Sequence, residues 1–152
     1  MLYRTREENS LYPASPPWDA LTTLGCTPYV RLDGYSISKG KCVDKANELA
    51  KEYNAGLNNL LKHAMQKLKG AVILRPNSYN FTLTVIQNYQ AYKFGLTKSV
   101  CCSARMFKAR MKCGKSKENG VAEKPFVCKD PNAYLFWDWI HPIEKLNAMF
   151  SH

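Results

Sequence analysis

Asp138 and His141 stand three residues apart, with Trp137 and Trp139 on either side of the aspartate and Pro142 directly after the histidine. A carboxylate held against an imidazole fixes the ring in one tautomer and stabilises its protonated form, which is what a general base requires. At a helix start, three-residue spacing puts two side chains on one face. The pair therefore reads as the base half of a catalytic triad. Spacing alone admits a plainer arrangement as well, with Asp138 capping the terminal helix and His141 packed as an ordinary, partly buried histidine.

Other chemistry is sparser. The chain has six cysteines, two of them adjacent (Cys101 and Cys102) and none in a CxxC pair. That pattern fits a disulfide framework of a secreted protein better than a zinc site, whose ligands are closely paired. No cofactor or metal is expected. Asn80-Phe81-Thr82 is a glycosylation sequon, with meaning only on the secretory route. The formal net charge is +10, and Lys and Arg concentrate between Lys98 and Lys129, at Arg105, Lys108, Arg110, Lys112, Lys115, Lys117 and Lys124. Such a run is either a solvated face or an attraction for an anionic partner. It lacks the interleaved stacking aromatics of an RNA-binding sheet, so no nucleic acid is expected as partner.

The elements that must position the pair follow from periodicity. A chain of 152 residues with 45% hydrophobic content is long enough for one domain with a core. Residues 1–20 are polar and proline-rich without periodicity, and read as an irregular tail. They show no apolar signal segment, and no transmembrane span occurs anywhere in the sequence. Leu21 to Cys26 reads as the end of a strand, running into a loop through Pro28, Asp33, Gly34 and Gly40. From Cys42 to Leu68 apolar residues such as Val43, Ala46, Ala50, Tyr53, Leu57, Leu61 and Ala64 recur at three and four, which predicts a long amphipathic helix stopped by Gly70.

Ala71 to Leu74 is a short apolar run of the kind found in buried parallel strands, so helix and strand together make half of a βαβ unit. Asn80 or Thr82 is placed to cap a second helix through Leu83, Val85, Ile86 and Tyr89 toward Gly95. After the cysteine-rich basic loop and the aromatic strip Tyr134 to Trp137, His141-Pro142 opens a last helix bearing Ile143, Leu146 and Met149 on one side.

Phe136-Trp137-Asp138-Trp139-Ile140-His141-Pro142-Ile143-Glu144, with Asn147, resembles the closing FWDxxHPTE block of plant GDSL esterases/lipases in the SGNH hydrolase superfamily. Further blocks agree in order. Leu24-Gly25-Cys26-Thr27-Pro28 is similar to the family's LGCxP turn, and Cys42 with Asn47, Ala50, Tyr53 and Asn54 to its C-x(4)-N-x-x-A-x-x-(Y/F)-N helix. Ile86-Gln87-Asn88 to Phe94-Gly95 resembles the IIxNPxxYGF segment, and Cys101, Cys102, Cys113 and Cys128 fall where its cysteines do. The resemblance implies an α/β fold, a partial SGNH (flavodoxin-like) parallel sheet with flanking helices and its N-terminal strands missing. Residues 21–152 would be the C-terminal part of that domain.

By the same resemblance the function is carboxylic ester hydrolysis on lipid or acyl ester substrates in the extracellular space, with Asp138 and His141 catalytic. Cys26 and Cys42 bracket a loop that a disulfide would close, while the partners of the other four cysteines stay open.

Departures bear on activity. The family's Gly-Asp-Ser, its second glycine block and its Gly-x-Asn-Asp block are absent from the sequence. Gly34-Tyr35-Ser36 and Gly114-Lys115-Ser116 lack the aspartate and a strand-to-helix setting, and Gly56-Leu57-Asn58-Asn59 falls inside the long helix. Ile143 stands for the family's threonine, and Ser103 and Arg105 for glycines. A chain that has lost its natural N-terminus would reconcile the missing signal with the cysteines. On its own it is expected to be inactive; the alternative is a non-catalytic relic that binds an anionic partner through its basic loop.

Overall fold

The structure, a computed structural model, describes residues 2–4, 11–13, 22–68, 70, 72–74, 77–103, 116–118, 121–123 and 126–151. The first well-packed feature is a 3-10 turn, Leu24–Cys26, followed by two short helices, α1 (Pro28–Asp33) and α2 (Tyr35–Ser38). A strand end and an open loop are the sequence expectations here. Pro28 sits in the first turn of α1, where its fixed φ suits a helix and its missing N–H leaves nothing unpaired. The glycine in this turn is there for space. Val43 N–H donates to Gly25 C=O at 2.8 Å, and Gly25 N–H donates to Asn47 Oδ1 at 2.8 Å.

A Cβ at Gly25 would fall on the Val43 carbonyl oxygen and crowd Asn47 Oδ1 at 2.9 Å. Backbone carbonyls do not yield as side-chain tips do, so Gly25→Ala is expected to cost about 1–3 kcal/mol, measured by urea unfolding. The Cys26–Cys42 disulfide closes the same loop, as its bracketing position suggested, over a sequence separation of 16. Replacing both with serine is expected to remove about 3 kcal/mol in the chain-entropy account, read as a lower unfolding midpoint.

The long helix, α3 (Asp44–Lys67), forms where the periodicity puts it. Asp44 lies in its first turn and Lys67 in its last, matching the macrodipole. Gly70 beyond it has φ +84, a left-handed conformation that costs glycine nothing. Burial is narrower than the apolar stripe. Only Asn47, Ala50 and Asn54 of α3 are buried, all in its first half, while Leu49 and Leu60 are 64% and 65% exposed. The strand after it, β3 (Val72–Leu74), does not pair in parallel.

Instead β3 pairs antiparallel with β1 (Leu2–Arg4), which pairs antiparallel with β2 (Leu11–Pro13), giving the order β2-β1-β3. The unpaired N–H and C=O groups of β3 are taken up by the nearest available edge, Leu2 opposite Leu74 and Arg4 opposite Val72. Two short strands thus lie in the stretch expected to be irregular. The burial expected of Ala71 to Leu74 falls outside the described side chains.

Helix α4 (Ser78–Gln87) is capped by Asn77, whose Oδ1 accepts from Asn80 N–H at 3.0 Å, rather than by Asn80 or Thr82. A cap accepts from the N–H three residues on, and Asn77 is the residue so placed. Beyond α4, strands β4 (Leu96–Val100) and β9 (Tyr134–Phe136) pair in parallel, and α5 (Glu144–Ser151) closes the chain. This parallel pair, covered by helices, is the α/β fold expected of the sequence.

Val85 of α4, Phe94, Cys101, Cys128, Leu135, Phe136, Ile143 and Leu146 form one buried cluster between sheet and helices. The Cys101–Cys128 disulfide lies inside it, and Cys102 is also disulfide-bonded. Between these elements run β5 (Cys102–Ser103), β6 (Ser116–Glu118), β7 (Val121–Glu123) and β8 (Phe126–Val127), in two antiparallel pairs, β5 with β8 and β6 with β7. Most of the basic run, including Arg105, Lys108, Arg110, Lys112, Lys115 and Lys124, and with it Cys113, lies outside the described residues. No helix among the described residues is long and apolar enough to cross a membrane.

Candidate active site

Asp138 and His141 sit in a turn that leaves the carboxyl end of β9, between that strand and α5. In open α/β sheets this end of the strands is where reactive side chains collect. The turn doubles back on itself: Trp137 N–H donates to His141 C=O at 2.8 Å, and Ile143 N–H to Leu135 C=O at 3.0 Å. Phe136 and Pro142 form an antiparallel bridge across its base. Neighbouring segments hold it from outside. Cys101 N–H donates to Phe136 C=O at 3.1 Å, and Tyr29 N–H of α1 to Trp139 C=O at 2.9 Å. The Tyr29 and Trp139 rings meet edge to face, with centroids 4.8 Å apart.

Within the turn, Asp138 Oδ1 accepts from the backbone N–H of Ile140 at 3.1 Å and of His141 at 2.8 Å. His141 Nδ1 stands 2.9 Å from Oδ1 and 2.8 Å from Oδ2 of the same carboxylate. A carboxylate only accepts, so the proton on the ring belongs on Nδ1, which leaves Nε2 with the basic lone pair. The Asp138 side chain is 9% exposed and the His141 side chain 48%. A buried acid thus orients a ring that opens to solvent.

The two are brought together by this turn and not by a helix face, because α5 begins only at Glu144. Nor does Asp138 cap that helix: its backbone donors, Ile140 and His141, both precede α5. Next to the pair, Phe81, Phe136, Ile140, Pro142, Leu146 and Phe150 line a small hollow of about 40 Å³. Of the serines weighed as nucleophiles, Ser36 lies on the exposed side of α2 and Ser116 in β6. Asn58 and Asn59 lie within α3, both exposed. Among the described residues no cluster of His, Cys, Asp and Glu is placed to hold a metal ion.

The family model of the GDSL-like lipases/acylhydrolases matches residues 13–152. The chain belongs to that family. Over 129 residues it is 32% identical to GDSL esterase/lipase At2g23540 of Arabidopsis thaliana, a match that covers 84% of this chain and 31% of that protein. GDSL esterase/lipase At2g04570 of the same plant is 26% identical over 132 residues, covering 87% of this chain and 35% of that protein. GDSL esterase/lipase At3g50400 is 31% identical over 130 residues, 84% of this chain and 32% of that protein. This GDSL-family chain therefore spans about a third of the length of the curated relatives it matches.

The GDSL-family blocks separated in sequence meet in space. The Leu24 to Pro28 turn, the Cys42 to Asn54 helix start and the closing block are joined through Gly25 to Asn47, Cys26 to Cys42, and Tyr29 to Trp139. Sequence reasoning overlooked one residue in this junction, Arg31 of α1. It is 6% exposed; its Nη1 donates to Thr97 C=O at 2.9 Å and its Nη2 to Cys42 Sγ at 3.2 Å, while Nε is buried without a partner. Burial lowers its pKa below the ordinary arginine value. Nothing local announces it, because its partners are a main-chain oxygen and a disulfide sulfur 66 and 11 residues away.

Proposed function

We propose that this chain supplies the base half of a GDSL-type carboxylic ester hydrolase, with His141 as general base and Asp138 as the group that orients it. The observation that supports this reading is the double contact of His141 Nδ1 with the Asp138 carboxylate, on a ring that is half exposed. In that arrangement Nε2 takes the proton of a serine hydroxyl as it attacks the acyl carbon, then returns it to the leaving alkoxide. Asp138 stabilises the imidazolium that exists between the two transfers. The substrates are acyl esters of lipids or cell-wall acetyl groups, and the setting is extracellular, in keeping with two mapped disulfides.

The base acts only when a nucleophile and oxyanion donors are provided, and no Gly-Asp-Ser occurs in this sequence. The purified chain is therefore expected to hydrolyse short p-nitrophenyl acyl esters no faster than buffer and to take no label from a fluorophosphonate. Labelling of a serine within residues 1–152 would overturn the proposal.

A further inference from the structure

We propose that Asn80 is a site of N-linked glycosylation, its glycan standing over a polar hollow between α3 and the start of α4. Asn80-Phe81-Thr82 is the single Asn-x-Ser/Thr sequence in the chain. The structure presents its asparagine suitably. Asn80 is exposed at the third position of α4, between a buried Tyr79 and a half-buried Phe81. Its backbone N–H is held by Asn77 Oδ1 at 3.0 Å, which fixes the residue in the first helical turn.

What lies beside it is also suited to a sugar. Lys51, Asn54, Ala55, Asn58, Asn77 and Tyr79 line, together with Asn80, a hollow of about 370 Å³. Three further asparagines, Asn54, Asn58 and Asn77, line it, so a sugar linked at Asn80 meets hydrogen-bonding groups and leaves the core between α4 and α5 untouched.

Thr82, the third residue of the sequon, sets the order of events. It is 6% exposed and lines the small hollow with Ser78, Phe81, Phe136, Leu146, Asn147 and Phe150. Because Thr82 is buried once α4 has docked, the transfer precedes folding and takes place on the nascent chain. In the step itself Asn80 Nδ2 loses one proton and bonds to the anomeric carbon of N-acetylglucosamine, while the polyisoprenyl diphosphate of the sugar donor leaves. No oxidant or reductant is involved. The disulfides Cys26–Cys42 and Cys101–Cys128 form in oxidising compartments, among them the lumen in which such transfer occurs.

The test uses the full chain behind an added secretion leader, in a eukaryotic secretory host and in cell-free translation with microsomes. Mass mapping is expected to find most copies glycosylated at Asn80, with the mass lost on treatment with a peptide N-glycosidase. Asn80→Gln and Thr82→Ala are expected to abolish the modification, and Thr82→Ser to keep it. The microsome arm scores nascent chains whether or not a variant folds. An unmodified Asn80 peptide from translocated wild-type chain, in either system, would overturn the proposal.

Discussion

Joined behind a segment that carries the Gly-Asp-Ser, glycine and Gly-x-Asn-Asp blocks, this chain is expected to hydrolyse p-nitrophenyl acyl esters, and His141→Ala to abolish that activity. The loss in kcat is on the order of 10⁶, the magnitude seen when a serine protease loses its base. Without Nε2 the serine must attack as a neutral hydroxyl and the leaving alkoxide must depart unprotonated. Folding is not at risk from the change. The His141 side chain is half exposed, and the bond that closes the turn, from Trp137 N–H to His141, uses the backbone carbonyl that alanine also has. A well-folded His141→Ala fusion that keeps most of its activity would remove the catalytic role from this residue.

Part of this fold was legible in the sequence because part of it is local. Helix α3 is written in the spacing of its apolar residues, and Gly70 in the left-handed conformation its stop requires. The width of the stripe was misleading all the same: Tyr53 and Leu60 share it with Ala50, yet of these three only Ala50 is covered. Amphipathicity reports which face is suited to burial, while coverage depends on what packs there. Helices α1 and α2 were missed because each is barely a turn or two long, too short for a period to show, and Pro28 and Gly34 punctuate loops as readily as helix ends. The partner of β3 is a matter of long-range pairing, about which Val72 to Leu74 carry no information.

The site shows the same division. Three-residue spacing placed Asp138 beside His141, but the reason assumed, a shared helix face, is not the one the structure uses. A side chain that accepts from the backbone two and three residues ahead builds a turn, and the turn delivers the ring to the carboxylate. The residues that brace this turn from α1, Tyr29 by its N–H and its ring, stand more than a hundred positions upstream and could be found only in space.

That double use of Asp138 decides how its replacement behaves. In Asp138→Asn the amide oxygen still accepts from Ile140 and His141 N–H, so the turn keeps its shape and the variant its stability. The second position now carries an NH₂ group that donates toward His141 Nδ1. A ring whose Nδ1 must accept carries its proton on Nε2, the atom that has to receive the proton of serine. In the fusion enzyme the expected loss in kcat is about 10⁴, smaller than for His141→Ala because the imidazole remains and its minor tautomer still works. Asp138→Ala removes the oxygens as well and leaves two backbone N–H groups of a partly buried turn without partners, at a cost of about 1–3 kcal/mol that Asp138→Asn is spared. Measured side by side, the asparagine variant is expected to melt like the parent and turn over like a damaged triad, while the alanine variant loses on both counts. An asparagine variant within tenfold of the parent in kcat would mean that the carboxylate builds the turn and does nothing for the base.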